Sequence, residues 1–273
     1  MRTIQMIVSD PDLYGKGHLV RQLEIKRRLE NLSIVCNLNV ADRNFLNSNY
    51  CFQDLLIIDL SIPDQKLFNT LLSKFERIIA FDWVESEKPF INIVLFENPL
   101  FSYPFKKKKY VGMEYFVLRN EVRTWIPIDK NFDYTLITLG YSASPAAYSK
   151  ALAAFNQILS KEVYLISRVK FPSIKNERIR VLVNPSNFVE LLANSNLVIT
   201  NGATTLLESL YFKKKTVSIP QTNEEILFAK YIRDTYAFDF DIFDNSEFSF
   251  SPNRVGIDWQ GINRIIEIIM EQL

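Results

Sequence analysis

Residues 1–8, Met-Arg-Thr-Ile-Gln-Met-Ile-Val, alternate polar and apolar side chains with the two-residue period of a β-strand. A loop rich in breakers follows, Ser9-Asp-Pro-Asp-Leu-Tyr-Gly-Lys-Gly17, and residues 18–30 then place Leu19, Leu23, Ile25 and Leu29 near one helical face. Short apolar runs at 33–40, 54–61, 77–83 and 91–96 read as further strands, and 64–75, with Leu67, Leu71 and Leu72 on one side, as an intervening helix. Apolar strands alternating with helices predict a parallel sheet covered on both faces.

Over residues 126–133 the periodicity lapses and polar content rises, which places the expected domain boundary between 128 and 129. Beyond it, strands are predicted at 134–139, 163–169, 179–183, 197–200 and 216–220, and helices at 145–159, 188–193, 205–212 and 224–233. A last helix, 259–273, carries Ile262, Ile265, Ile266, Ile268 and Ile269 and is expected to pack tightly. The fold class expected is α/β: two doubly wound Rossmann-like domains, 1–128 and 129–273, facing across a cleft, with ligand at the carboxyl ends of the strands.

Composition narrows the function. At 273 residues, 48% hydrophobic and 23% charged, the chain can bury two proper cores, which excludes disorder. Thirty-two Lys and Arg against thirty-one Asp and Glu give a net charge of +1, so no nucleic-acid partner is expected. Cys36 and Cys51 are too few for a disulfide framework and lack metal-ligand spacing. The first residues form no signal peptide, and no apolar run approaches the ~20 residues that cross a bilayer. A soluble cytoplasmic protein without a transmembrane segment, cofactor or metal is the expectation. The four lysines at 106–109 are read as a solvated loop in preference to a peripheral contact with anionic membrane lipid.

Three corners could carry chemistry. Gly15-Lys-Gly17-His18 lies where the first strand turns into the first helix; its glycines let backbone approach a ligand, and the helix N-terminus offers free amides to an anion. The third glycine of a dinucleotide fingerprint is absent, with Arg21 and Gln22 in its neighbourhood. His18 is the only histidine. A helix N-terminus disfavours positive charge on an imidazole, which suits it to accept a proton, although a capping or packing role fits the position too. Asn201-Gly-Ala-Thr-Thr205 is a second strand-to-helix corner suited to a diphosphate; Glu208, one turn on, is placed to accept from a ribose or to close a capping box with Thr205. Gln221-Thr-Asn223-Glu224 follows the next strand, where Asn223 could equally be an N-cap. Asp10, Asp59 and Asp82 each fall at the carboxyl end of a predicted strand.

Taken in order, these segments resemble the UDP-sugar hydrolase of pseudaminic acid biosynthesis, a relative of the GT-B glycosyltransferases. Asp10 with Gly15-Lys-Gly17-His18-Leu-Val-Arg21 is similar to that family's acid followed by Gly-x-Gly-His-x-x-Arg. Leu56-Ile-Ile-Asp59, Phe81-Asp82 and Gly112-Met-Glu-Tyr115-Phe-Val-Leu-Arg119-Asn-Glu121 resemble its later first-domain segments. Asn201 to Glu208, Asn223-Glu224, and Asp258-Trp-Gln-Gly261-Ile-Asn-Arg264-Ile265 resemble those of its second domain. The resemblance implies metal-independent cleavage of a UDP-sugar, with water attacking the anomeric carbon. It casts His18 as general base, Asn223 as holding the sugar or the attacking geometry, Gly202, Ala203 and Thr204 on the pyrophosphate, Glu208 on the ribose, and Thr205 as a further substrate contact. Asp10, Gly15, Gly17, Arg21, Asp59, Asp82, Tyr115, Arg119, Gly140 and Glu224 are the remaining expected substrate contacts. A glycosyltransferase passing the same sugar to an acceptor hydroxyl is the alternative. The chain departs from the family at Leu139-Gly140-Tyr141-Ser142, at Leu60-Ser61 and at Trp83, which bears on the sugar accepted.

Overall fold

The computed structural model describes residues 3–11, 16–41, 54–60, 70, 73–82, 90–99, 108–126, 132–140, 143–156, 161–167, 176–236, 238–243 and 256–273. The chain divides into two compact units, Met1–Arg119 together with Ile257–Leu273, and Asn120–Gly256. Elements are numbered in chain order among the described residues.

The first unit holds β1 (Ile4–Val8), α1 (Gly17–Glu30), β2 (Cys36–Val40), β3 (Leu55–Asp59), β4 (Arg77–Phe81), β5 (Ile91–Val94) and β6 (Lys109–Val111). All pairings are parallel, in the order β2-β1-β3-β4-β5-β6. Chain direction across the sheet therefore reverses between β1 and β3, where Val8 stands beside Asp59. In open doubly wound sheets such a switch point leaves a crevice at the carboxyl ends of the strands. β1 and β3 are buried along their whole length, so successive side chains enter two different cores. Ile4, Met6, Leu55, Ile57 and Phe81 join Ile25 and Leu29 of α1 on one face, while Ile7, Leu56, Ile58 and Ala80 join Phe75 and Phe90 on the other.

The second unit runs α2 (Asn120–Arg123), β7 (Tyr134–Thr138), α3 (Pro145–Phe155), β8 (Glu162–Ser167), β9 (Ile179–Val183), α4 (Phe188–Asn194), β10 (Leu197–Thr200), α5 (Thr204–Tyr211), β11 (Lys215–Ser218), α6 (Asn223–Thr235) and β12 (Asp241–Ile242). Its parallel sheet has the order β9-β8-β7-β10-β11-β12, which is 3-2-1-4-5-6 counted from β7. Here the switch point lies between β7 and β10. Tyr148 of α3 locks that edge: its hydroxyl donates to Ile166 O at 2.8 Å and accepts from Leu139 N at 3.2 Å.

The last helix, α7 (Gly261–Met270), returns to the first unit, so the division differs from a single boundary at 128/129. The physical reason is its apolar stripe: Ile262, Ile265, Ile268 and Ile269 are buried in the core shared with β1, β3 and α1. Arg28 of α1 donates to Asn263 at 2.6 Å, and Arg264 donates to Glu114 O at 3.0 Å and to the Asp258 carboxylate. Two other expectations are revised. Leu23 is exposed, and the buried face of α1 is instead Gln22, Glu24, Ile25 and Leu29. Residue 109, expected in a loop, begins the edge strand β6, and β12 had no apolar run to announce it. Most of the expected helix 64–75 lies outside the described residues, and no described helix is long and apolar enough to cross a membrane.

Candidate active site

At the first unit's switch point, the second residue of α1, His18, meets the last residue of β3. His18 Nδ1 donates to Asp59 Oδ1 at 2.5 Å. Asp59 is fully buried and accepts three more hydrogen bonds: Arg21 Nη2 to Oδ1 at 2.6 Å, Arg21 Nε to Oδ2 at 2.8 Å, and Gln22 Nε2 to Oδ2 at 2.9 Å. Arg21 spends its remaining end on Asp82 Oδ2 at 3.1 Å and lies over the Phe81 ring, 4.8 Å from its centroid. Asp82, at a φ of +49°, also accepts from Leu95 N at 2.9 Å. Burial by itself would raise the Asp59 pKa, but the Arg21 charge and the hydrogen bonds from Arg21 and His18 outweigh it and hold the carboxyl well below the usual carboxylate range. Burial likewise works against the Arg21 charge, and the two carboxylates more than reverse it, driving the guanidinium pKa upward.

This geometry sorts the sequence-derived residues. With Nδ1 donating to a carboxylate, the neutral imidazole keeps its lone pair on Nε2, and that nitrogen has no hydrogen-bond partner among the described residues. A quarter of the His18 side chain is exposed. Asp59 and Arg21, expected on the substrate, are instead turned inward on one another and on His18, with side chains 0% and 11% exposed. Asp82 keeps an exposed flank, Asp10 is half-buried just beyond β1, and Gly17 is exposed at the start of α1. Gly15 lies outside the described residues. The residue that sequence reasoning passed over is Gln22. Its Nε2 is bound by Asp59, while its buried Oε1 has no partner among the described residues, a desolvation cost of about 1–3 kcal/mol.

In the second unit the carboxyl ends of β7, β10 and β11 converge. Gly140, after β7, has a φ of +83°, and a Cβ there would fall 2.6 Å from Asn201 Nδ2. A Cβ on Gly202 would fall 2.3 Å from Glu225 O, so only glycine lets the corner after β10 sit against the first turn of α6. Glu225 ties the two together: it accepts from Asn201 Nδ2 at 2.5 Å and from Gln221 N at 2.7 Å, and takes a backbone hydrogen bond from Gly202. Burial raises its pKa, and those donors offset part of the rise.

The expected neighbours of Glu225 fare differently. Asn223 and Glu224 are exposed in the first turn of α6, and the N-cap is Thr222, which accepts from Glu225 N at 3.2 Å. α5 begins at Thr204 with Ala203 as N-cap and no side-chain cap, so Thr205 and Glu208 form no capping box. Ala203, Thr204 and Thr205 are half-buried there, whereas Glu208 is 1% exposed and does not present its carboxylate to solvent.

Tyr115 and Arg119 lie beyond β6, three strands from β3, and are not gathered at His18. Tyr115 packs edge-to-face on Tyr110 at 5.5 Å and against the core that α7 completes. Lys108 and Lys109 of the lysine run pair with Glu271 and Glu97, which lowers the charge that face could offer to lipid.

No protein-family model matches the chain, and no curated protein sequence matches it. Solved structures do. Acinetobacter baumannii MurG superposes with a TM-score of 0.53 at 11% identity, over 98% of this chain and 99% of that one. Arabidopsis thaliana UGT89C1 complexed with UDP-L-rhamnose gives 0.51 at 11% identity, over 100% and 91%. The glycosyltransferase SnogD from Streptomyces nogalater gives 0.50 at 11% identity, over 100% and 95%. At such identities the likeness defines the architecture: the protein has the GT-B fold, with two doubly wound Rossmann-like units.

Proposed function

We propose that the protein transfers a sugar from a nucleotide diphosphate, UDP in the first instance, to an acceptor hydroxyl. The observation that carries this reading is the His18–Asp59 pair at the first sheet's switch point. It fixes a ring nitrogen as acceptor beside the one place in such a sheet where ligands bind. As the acceptor oxygen bonds to the anomeric carbon, its proton passes to His18 Nε2, the carbon–oxygen bond to the phosphate breaks, and the nucleoside diphosphate leaves. Asp59 stabilises the imidazolium so formed without touching substrate. In the second unit, Gly202, Ala203, Thr204 and Thr205 would meet the diphosphate at the uncapped start of α5, offsetting the charge that grows on the leaving oxygens. Asn223 and Glu224, exposed in the neighbouring turn, would reach its outer side.

Water in place of the alcohol would give hydrolysis, the activity that the motif order resembles. Glycosyl transfer is favoured by the fold shared with SnogD and UGT89C1. Incubating the protein with UDP-sugars, alone and with a panel of acceptor alcohols, separates the two. Release of UDP that requires acceptor is expected; stoichiometric free sugar and UDP without acceptor would establish hydrolysis, and absence of release in every mixture would refute both.

A further inference from the structure

We infer that Gln22, together with Arg21, is a positioning residue that selects the proton-accepting nitrogen of His18 by fixing the plane of the Asp59 carboxylate. The inference rests on reading His18 as the base.

A lone aspartate behind a histidine can rotate about its terminal torsion, and it then offers either oxygen, at varying angle, to either ring nitrogen. Asp59 is denied that freedom. Arg21 grips both oxygens, Nη2 on Oδ1 and Nε on Oδ2, and Gln22 adds a second donor on Oδ2. Oδ2 is thereby occupied twice by donors from α1, so the direction left open on Oδ1 faces His18 Nδ1. Arg21 is itself held against Asp82 and the Phe81 ring. Residues 18, 21 and 22 are one turn apart on the same helix, so the clamp and the base move as one rigid piece.

Gln22 is the informative member. Arg21 compensates a buried charge and would be needed for stability alone, whereas Gln22 leaves its own Oε1 buried without a partner among the described residues. An apolar side chain of similar size would avoid that loss but give up the hydrogen bond to Asp59 Oδ2. What Gln22 contributes to the site is that single contact on Oδ2, which fixes the carboxylate plane.

The test uses the whole chain with its single histidine labelled with 15N, so that one pair of ring-nitrogen signals reports His18 and nothing else. In the wild type the neutral ring is expected to carry its proton on Nδ1. Gln22→Leu loses the unpartnered Oε1 and the hydrogen bond to Asp59 together, two effects of opposite sign, so it is expected to fold with a melting temperature close to wild type and to leave KM for the nucleotide sugar unchanged. Its kcat should fall about tenfold, by analogy with the outer hydrogen-bond partners of metal-bound histidines, and its nitrogen signals should move toward a mixture of tautomers. Arg21→Lys, which keeps the charge but cannot grip both oxygens, should show the same signature more strongly. Wild-type kcat together with wild-type nitrogen signals in Gln22→Leu would overturn the proposal. If no nucleotide sugar is turned over by the wild type, the reading of His18 as base fails. The nitrogen signals then decide the positioning claim alone: mixed tautomers in Gln22→Leu sustain it and an unchanged ring refutes it.

Discussion

A carboxylate with no exposure to water that accepts four hydrogen bonds from three side chains is stable only as long as it stays ionised. Asp59 therefore makes the first unit acid-sensitive. Its folded pKa lies below the ordinary value of about 3.9, so its stabilisation is complete above that pH and is lost as pH falls toward the folded value. Asp59→Asn should remove this acid-side slope from a chemical-denaturation series. At neutral pH it should cost about 3–5 kcal/mol, because Arg21 loses its principal counter-charge.

At this scale the sequence was legible in part. A lone histidine at a helix start and an aspartate closing an apolar strand were both visible. Gln22 was not, because the face read from Leu19, Leu23, Ile25 and Leu29 includes the exposed Leu23 and leaves Gln22 off it. The stripe that is buried runs Gln22, Ile25 and Leu29 at spacings of three and four, with half-buried His18 one turn ahead of it. A glutamine on that stripe is the signal that would have found it.

The elements of the second unit place their corners by close backbone approach. Gly202→Ala must push the corner after β10 off the first turn of α6, since the obstacle is the backbone carbonyl of Glu225 and cannot rotate away. A loss of about 1–3 kcal/mol in unfolding free energy is expected, as for other overpacked sites. UDP affinity measured calorimetrically should fall with it; retained affinity would show that the nucleotide does not use this corner. Element positions along the chain were largely readable, with β9 and β10 found at their residues and α3, α5 and α6 displaced by a few at their ends. The capping was not. Thr222 and Asn223 are both competent N-caps, and the local signal that favours Thr222, the Thr-x-x-Glu spacing to Glu225, was passed over; Glu225 N donates to Thr222 and the Glu225 carboxylate accepts from Gln221 N.

On the scale of the molecule, two sheets of the same kind carry separate cores, and one helix returns from the end of the chain to complete the first. Ile265, fully buried there, should cost about 2–5 kcal/mol when cut to alanine. Hydrogen exchange should show the loss of protection in peptides from Met1–Arg119 and not in those from Asn120–Gly256; equal loss in both would contradict the division. The alternation of strands and helices disclosed two α/β halves, but not where the final helix docks. Its isoleucine stripe specifies an apolar partner without saying which of two apolar cores supplies it.

The central claim is that the imidazole held by Asp59 takes a proton during cleavage of a nucleotide-sugar bond. The most direct measurement is the rate of UDP release from a turned-over UDP-sugar by wild type and His18→Ala, with UDP affinity determined in parallel. A fall of at least ~100-fold in turnover with nearly unchanged affinity is the predicted result. Turnover close to wild type in His18→Ala would contradict the account.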